Sequence, residues 1–160
     1  METKHSPTPP GRYLRRGLIA LILACNHGMG LAGGTPVGLW RTLDEDSGEA
    51  RSLVRITENR GVLEGRIEKL LDPDEAADAR CDRCTDERHK QPIVGLNILR
   101  NLRPVEGKAG RWSGGDILDP ENGRVYRATL TLSGDGRQLD VRGYIGSPLF
   151  GRSQTWIRAD

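Results

Sequence analysis

Histidine and cysteine are scarce in this sequence, which limits the chemistry it can carry out. The chain has three residues of each type, and only His89, Cys81 and Cys84 lie beyond residue 32. A Ser–His–Asp triad has no other histidine on which to be built, and the carboxylates cluster at turns, where they act as turn formers. A zinc site needs about four protein ligands, or three with an open position, and nothing fixes a fourth ligand here. We therefore expect no enzyme activity, no metal and no cofactor.

The sequence also lacks an apolar run long enough to cross a membrane. The most apolar stretch, Leu18 to Cys25, is far shorter than the roughly 18 residues that a spanning helix needs. It follows three arginines in 12–16 and precedes small residues, which is the order of a secretory signal peptide. We predict that residues 1–32 are a signal peptide cleaved after Ala32, and that the protein is periplasmic or secreted. In an alternative, ILAC at 22–25 is a lipoprotein box and the protein is lipid-anchored through Cys25.

An excess of basic charge is missing beyond this leader. The full chain has 24 Lys and Arg against 22 Asp and Glu, and residues 1–32 hold four basic residues and one acidic residue, which leaves 20 against 21. The net charge falls from +2 to −1, and the two signs are interspersed. Nucleic-acid binding therefore has no electrostatic basis, since it needs a basic patch or stripe.

What remains, residues 33–160, is a single domain by size, rich in short β-type runs. Apolar and polar residues alternate between Gly, Asp and Asn turns, and no helical period extends beyond two turns. The expected strands are 37–42, 51–57, 62–71, 93–99, 111–118, 126–132, 139–143 and 151–158. Short connections make neighbouring strands antiparallel. Eight such strands favour a closed barrel, because closure removes exposed edges, and a β-sandwich is the alternative.

The sequence Gly38-Leu39-Trp40 predicts how one end of this barrel closes. In lipocalin-like barrels a G-x-W on the first strand places the tryptophan across the barrel floor, and an arginine from a late strand packs on its ring. Arg158 or Arg152 can supply that cation–π contact, and Trp156 lies on the same last strand. We predict a floor made of Gly38, Trp40, Trp156 and Arg158. In the alternative, Trp40 is a core residue beside a turn glycine.

Six motifs in order resemble the domain of unknown function 2147 family, a group of small secreted bacterial proteins. They are GLW at 38–40, CDRC at 81–84, PIVGLNIL at 92–99, WSGGDILDPENGRVY at 112–126, LDVRGYIG at 139–146 and GRSQTW at 151–156. The resemblance covers residues 36–158 and implies a lipocalin-like barrel behind a signal peptide, without an established catalytic activity. The expected fold is thus all-β: an eight-stranded antiparallel lipocalin-like (calycin-type) barrel with one long disulfide-containing loop.

The cysteines of CDRC lie in that loop, a polar excursion over residues 72–91. A thioredoxin-like redox pair needs a helix N-terminus within a βαβ unit, which a position between antiparallel strands does not offer. In an oxidising compartment, Cys81 and Cys84 are expected to form a structural disulfide. A loop this long is often functional, as a lid at the barrel mouth or as a plug or partner surface at the other end. The alternative is a solvated excursion held down by its disulfide.

The late strands hold aromatic and arginine side chains suited to an amphipathic ligand. Aromatic walls would hold its body and arginine its carboxylate or phosphate head. The candidate ligand-binding residues are Trp112, Tyr126, Arg142, Tyr144, Phe150 and Arg152. In the alternative, the aromatics belong to the core and the glycines to turns. Small residues at Gly65, Ala128 and Gly143 are expected to leave room inside the barrel.

The predicted function is an exported, non-catalytic binder of a small apolar or amphipathic ligand in the bacterial envelope. The alternative is an envelope interaction or stress protein with a filled barrel that acts on a protein partner through the 72–91 loop. The volume of the interior separates the two: at least roughly 300 Å³ favours a ligand carrier.

Overall fold

The computed structural model describes Met1 and residues 34–44, 46–73, 75–76 and 78–160. Apart from Met1, the predicted signal peptide lies outside these residues, as do its cleavage point after Ala32 and the cysteine at 25. The strands are β1 (Gly38–Leu43), β2 (Ala50–Asn59), β3 (Val62–Leu70), β4 (Asn97–Pro104), β5 (Arg111–Asp119), β6 (Arg124–Leu132), β7 (Gln138–Tyr144) and β8 (Arg152–Arg158). A 3-10 turn, Pro148–Phe150, precedes β8. In this part of the chain, no helix is long and apolar enough to span a bilayer.

The strands form a closed antiparallel barrel in which each strand pairs with the next in sequence. The ring closes between β1 and β8, where Trp40 pairs with Arg158 and Arg41 with Ile157. Tight turns fix the register, as at Arg60 and Gly61, whose φ angles of 51° and 76° suit a primed hairpin turn. The prediction of an eight-stranded antiparallel barrel is confirmed, and the β-sandwich is not observed.

The core follows the alternation of side chains along each strand. On β2, Val54 and Ile56 are fully buried, whereas Arg55 between them reaches outward and donates from Nε to Glu68 of β3 at 2.7 Å. Because successive side chains face opposite sides of the sheet, one polar and one apolar surface arise from the same strand. Burial of the inward row stabilises the barrel.

One predicted strand is displaced. The run expected at 93–99 begins as a turn: Leu96 N donates to the Ile93 carbonyl at 3.1 Å, and Gly95 has a φ of 93°. β4 starts only at Asn97 and continues past the buried Leu99 through the mostly polar segment 100–104, in which Leu102 is buried, with an irregularity at Asn101, whose φ is 61°. Burial of both Ile93 and Leu96 produces the apolar run there without a strand.

Candidate ligand cavity

The floor of the barrel is closed by Trp40 and Arg158. Trp40 is fully buried, and its Nε1 donates to the Pro36 carbonyl at 2.7 Å. The Arg158 guanidinium carbon stands 4.4 Å from the centroid of the Trp40 ring, which is a cation–π geometry. Arg158 supplies this contact, and Arg152, the other arginine considered for it, lies at the opposite end of the barrel.

Gly38 is required by the same arrangement. A Cβ atom on Gly38 would stand 2.5 Å from Nη1 of Arg158, so a larger residue would displace the guanidinium. That guanidinium also donates to the carbonyls of Gly136 at 2.7 Å and Thr35 at 2.7 Å. In the G-x-W sequence, Gly38 therefore leaves room for the guanidinium of Arg158, and Trp40, two residues later, provides the ring on which that guanidinium packs.

The opposite end of the barrel opens into a cavity of about 700 Å³. Its inner part is mostly apolar and ends on Trp156, which is 1% exposed. Polar and charged residues surround the opening. Deep lining residues include Ile67, Ile98, Ile117, Val141 and Trp156, and those of the mouth include Asp44, Arg51, Glu121, Arg124, Tyr144, Phe150 and Arg152.

Two strands of the wall, β6 and β8, grade from polar at the mouth to apolar inside. On β8 the lining residues are Arg152, Gln154 and Trp156, each two positions further into the barrel. On β6, Arg124 and Tyr126 line the cavity above the fully buried Ala128. Because the side-chain period of a strand is two residues, these series point to one interior. The wall thus matches a ligand with a charged or polar head and an apolar body.

Two of the predicted ligand-binding residues do not line this cavity. Arg142 alternates with the lining residues Val141 and Gly143, so it faces outward, where Nε donates to the Pro148 carbonyl at 2.8 Å and Nη1 to Ser153 Oγ at 2.9 Å. Trp112 borders a separate groove beside the β4–β5 connection. The other four, Tyr126, Tyr144, Phe150 and Arg152, do line the cavity.

Sequence reasoning missed Gln154 and Arg124 as lining residues. Both can be found by counting in steps of two, from Trp156 back to Gln154 and from Ala128 back through Tyr126 to Arg124. The turn pattern DPENGR hides Arg124, because it places this residue at the end of a turn and not on a strand.

Of the three small residues expected to leave room, Gly143 borders the cavity. A Cβ atom on it would lie 3.4 Å from Cγ2 of Ile117 and 3.4 Å from Cβ of Tyr126, both of which line the same space. At Gly65 the space is filled, because a Cβ atom there would lie 2.9 Å from Cδ1 of the fully buried Leu99. The open volume therefore depends on Gly143 more than on Gly65.

The arginines at the mouth differ in their partners. Arg51 contacts the carboxylates of Glu121 and Asp44, the latter at 3.7 Å. By contrast, within the chain as described, the guanidinium groups of Arg124 and Arg152 have no hydrogen-bond or ion-pair partner. These two are therefore available to an anionic ligand.

The disulfide loop is a fixed part of the mouth wall. Cys81 and Cys84 are bonded to each other and buried, and the cavity is bordered by Glu75 of the loop and by Ile93 just after it. The loop packs against the β5–β6 turn, where Arg83 Nη1 donates to the Glu121 carbonyl at 2.9 Å. The expected disulfide-containing loop is present. It lies at the mouth of the barrel, where it forms part of the wall beside the opening.

A buried arginine fastens the rest of this loop to β4. Arg88 is 3% exposed; it donates from Nε and Nη2 to the carboxylate of Asp86, at 3.0 and 2.5 Å, and from Nη1 to the Asn97 carbonyl at 3.0 Å. Hydrogen bonding from Arg88 lowers the pKa of Asp86 to about 2. The carboxylate therefore stays ionised from neutral to mildly acidic pH, and its contribution to stability declines as the pH falls below about 4, the ordinary pKa, and is lost below about 2.

The comparisons with known proteins agree with this fold. A family model described as "Uncharacterized protein conserved in bacteria (DUF2147)" matches residues 38–158. Among curated proteins, none matches the chain. The solved structure of protein HP1028 from Helicobacter pylori, described as belonging to the lipocalin family, has a TM-score of 0.66 and 18% sequence identity. The match covers 79% of this chain and 84% of that one. At this identity the likeness shows the fold alone.

Proposed function

This chain belongs to the bacterial DUF2147 family, and from that premise and its lipocalin-like barrel we propose that it binds one small apolar or amphipathic ligand without catalysing a reaction. The observation that carries the proposal is the open cavity of about 700 Å³. Ligand sites for small molecules have volumes of roughly 300–1,000 Å³. A filled barrel that acts through the 72–91 loop, the alternative from sequence, has no comparable support.

The chemistry of the wall favours an amphipathic anion over a purely apolar ligand. Trp156 and Ile117 offer apolar contact inside, and Arg124 and Arg152 offer two unpaired guanidinium groups at the mouth, as far as the chain is described. Guanidinium groups form strong, often bidentate, hydrogen bonds with carboxylate and phosphate. We propose a ligand whose tail lies inside the barrel and whose acidic head lies near these arginines.

A binding role without catalysis fits the polar groups of the cavity. Ser52 shares a hydrogen bond of 2.8 Å with Thr42 Oγ1, and the carboxylates of Asp44 and Glu121 face Arg51. His89 has Nδ1 at 2.8 Å from the Cys84 carbonyl, and it is not among the described residues that line the cavity. Among those lining residues, a nucleophile and a base are therefore not brought within hydrogen-bond reach of each other.

We predict that Gly143→Phe weakens binding of cis-parinaric acid, a fluorescent long-chain carboxylate, by at least about tenfold. The new ring would occupy the space between Ile117 and Tyr126, where the ligand's tail would lie. A loss of about 1.4 kcal/mol corresponds to this factor. Fluorescence titration of the folded protein measures it.

The matched control is Gly134→Phe, because a Cβ atom on Gly134 would meet open space and Gly134 lies in the β6–β7 turn, outside the lining residues. It should bind the probe like the original protein. Gln154→Trp, which fills the cavity from β8, tests the same point if Gly143→Phe does not fold. Equal probe affinity in the original protein and both filling variants would reject the cavity as the binding site.

Substitution of Arg152 tests whether this residue binds the acidic head of the ligand. Arg152→Gln should weaken binding of cis-parinaric acid by about tenfold and leave the affinity for its uncharged methyl ester nearly unchanged, since a hydrogen bond to a charged group contributes about 1.5–3 kcal/mol. Arg127→Gln is the control, because Arg127 is exposed and alternates with the lining residue Tyr126. A parallel loss for acid and ester would mean that Arg152 does not recognise the charge.

We also propose that the protein acts in the bacterial envelope, after cleavage of residues 1–32 or anchored through acylated Cys25. The support is the sequence of the leader. The intact mass of protein recovered from a bacterial host distinguishes the full chain, the chain cleaved after Ala32 and the chain that begins at an acylated Cys25.

A further inference from the structure

The most exposed large apolar side chains of the barrel domain lie together at its mouth. Leu149 and Phe150 are each 84% exposed and Ile145 is 63% exposed, compared with 43% for Val94 and 41% for Val125. We call these three, Ile145, Leu149 and Phe150, the apolar rim. Exposed apolar clusters of this kind mark binding surfaces more often than isolated exposed residues do.

The apolar rim is held in place by a hydrogen-bonded turn. Ser147 caps it: Leu149 N donates to Ser147 Oγ at 3.3 Å, and Phe150 N to the Ser147 carbonyl at 3.1 Å. Arg142 donates to the Pro148 carbonyl at 2.8 Å and ties the turn to β7. The side chains are thus presented to solvent by an ordered turn.

The rim is continuous with the cavity. Ile145 and Phe150 line the cavity as well as the surface, and Arg152 follows directly on β8. An apolar environment in contact with the apolar rim would therefore adjoin the cavity. A ligand tail could pass from that environment into the cavity with little exposure to water.

The charges around the mouth are divided. Arg124, Arg127, Arg142 and Arg152 lie on β6, β7 and β8, the strands beside the rim. The acidic lining residues Asp44, Asp46, Glu75 and Glu121 lie on the connections that follow β1, β3 and β5, beside Arg51 of β2, which pairs with Asp44 and Glu121. Asp119, at the end of β5, is the cross-strand neighbour of Arg124 and is the acidic lining residue nearest to the basic strands. Basic residues next to an apolar surface attract anionic lipid headgroups while the apolar side chains enter the interface.

From this juxtaposition we propose that the apolar rim docks on a bilayer surface that contains anionic lipids, so that the mouth of the cavity faces the membrane. A second copy of the chain fits this surface less well, because like-charged arginines would oppose one another around two apposed rims. Docking would make the membrane the source or the destination of the carrier's ligand. This role of docking rests on the proposed function, but docking itself can be measured without any ligand.

The test is co-sedimentation with vesicles made of equal parts phosphatidylcholine and phosphatidylglycerol. The original protein should sediment with these vesicles, and less so with phosphatidylcholine alone. Leu149→Ser should lower the vesicle partition coefficient about tenfold, since burying a large aliphatic side chain accounts for a factor of this size. Leu149 does not line the cavity, so its cis-parinaric acid affinity should not change.

Val94→Ser is the matched control. Val94 is the next most exposed large apolar residue, and it lies in the β3–β4 connection, across an eight-stranded ring from the β7–β8 connection that carries the rim. It should retain vesicle binding. The proposal is overturned if the original protein stays in solution, or if Val94→Ser and Leu149→Ser lose binding equally.

Two further measurements distinguish membrane docking from self-association and from the carrier function. A lipid-free dimer that Leu149→Ser dissociates, seen by sedimentation equilibrium, would assign the rim to a second copy and overturn membrane docking. Loss of vesicle binding in Leu149→Ser with unchanged probe affinity supports docking through the rim. Vesicle binding by a protein that takes up no probe would preserve docking and reject the carrier function.

Discussion

Replacing Trp40 with alanine should lower the free energy of unfolding by about 3–5 kcal/mol, the range for truncation of a buried aromatic residue. Trp40 is completely buried, and its loss would remove the ring, the hydrogen bond of Nε1 to Pro36 and the surface on which Arg158 packs. The side chain also lies where β1 meets β8, a junction with only two residue pairs between described strands. Urea denaturation, with fluorescence of the remaining tryptophans, measures the change.

Trp40→Phe separates the contributions of the ring and the hydrogen bond. It keeps an aromatic face for Arg158 but removes the donor to the Pro36 carbonyl, so it should cost less than the alanine variant. A near-neutral Trp40→Ala would contradict a floor held by this residue. It would mean that the remaining contacts of Arg158, to Thr35 and Gly136, close that end of the barrel without the tryptophan.

The barrel and its floor could be predicted because they depend on local patterns. Alternation of two residues specifies each strand, and short turns specify antiparallel neighbours. The G-x-W spacing specifies the floor because Gly38 and Trp40 occupy the same face of one strand, and the arginine that covers them is two residues after Trp156. The glycine, the two tryptophans and both arginines are visible in the sequence, whereas the choice of Arg158 over Arg152 follows from the pairing of β1 with β8.

The composition of the mouth was less predictable for two reasons. Arg142 and Arg152 are both arginines on late strands, and only the register shows that one faces outward and the other inward, since a slip of one residue reverses the face. The position of the loop depends on contacts between distant segments, such as Arg83 with Glu121 and Arg88 with Asn97. No spacing rule within a single strand gives those pairs.

Gly123→Ala should release the disulfide loop from the mouth and lower the free energy of unfolding by about 2–5 kcal/mol. Gly123 has a φ of 72°, and a Cβ atom on it would collide with the backbone carbonyl of Arg83. The left-handed conformation costs an alanine about 1–2 kcal/mol, and forced overpacking adds about 1–3 kcal/mol. Urea denaturation gives the total, and hydrogen exchange of the amides in 81–96 shows whether the loop has moved.

Gly61→Ala isolates the conformational part of that effect. Gly61 has a φ of 76° and no neighbour within 4 Å of an added Cβ atom, so it should lose only the backbone contribution, about 1–2 kcal/mol, and leave exchange in the loop unchanged. If Gly123→Ala cost no more free energy of unfolding than Gly61→Ala, the loop would not be packed on the β5–β6 turn.

If the loop is released, Glu75 and Ile93 leave the cavity lining with it, and affinity for cis-parinaric acid should fall in Gly123→Ala but not in Gly61→Ala. The disulfide would then serve the ligand indirectly, because it stiffens a segment whose two ends complete the wall of the cavity.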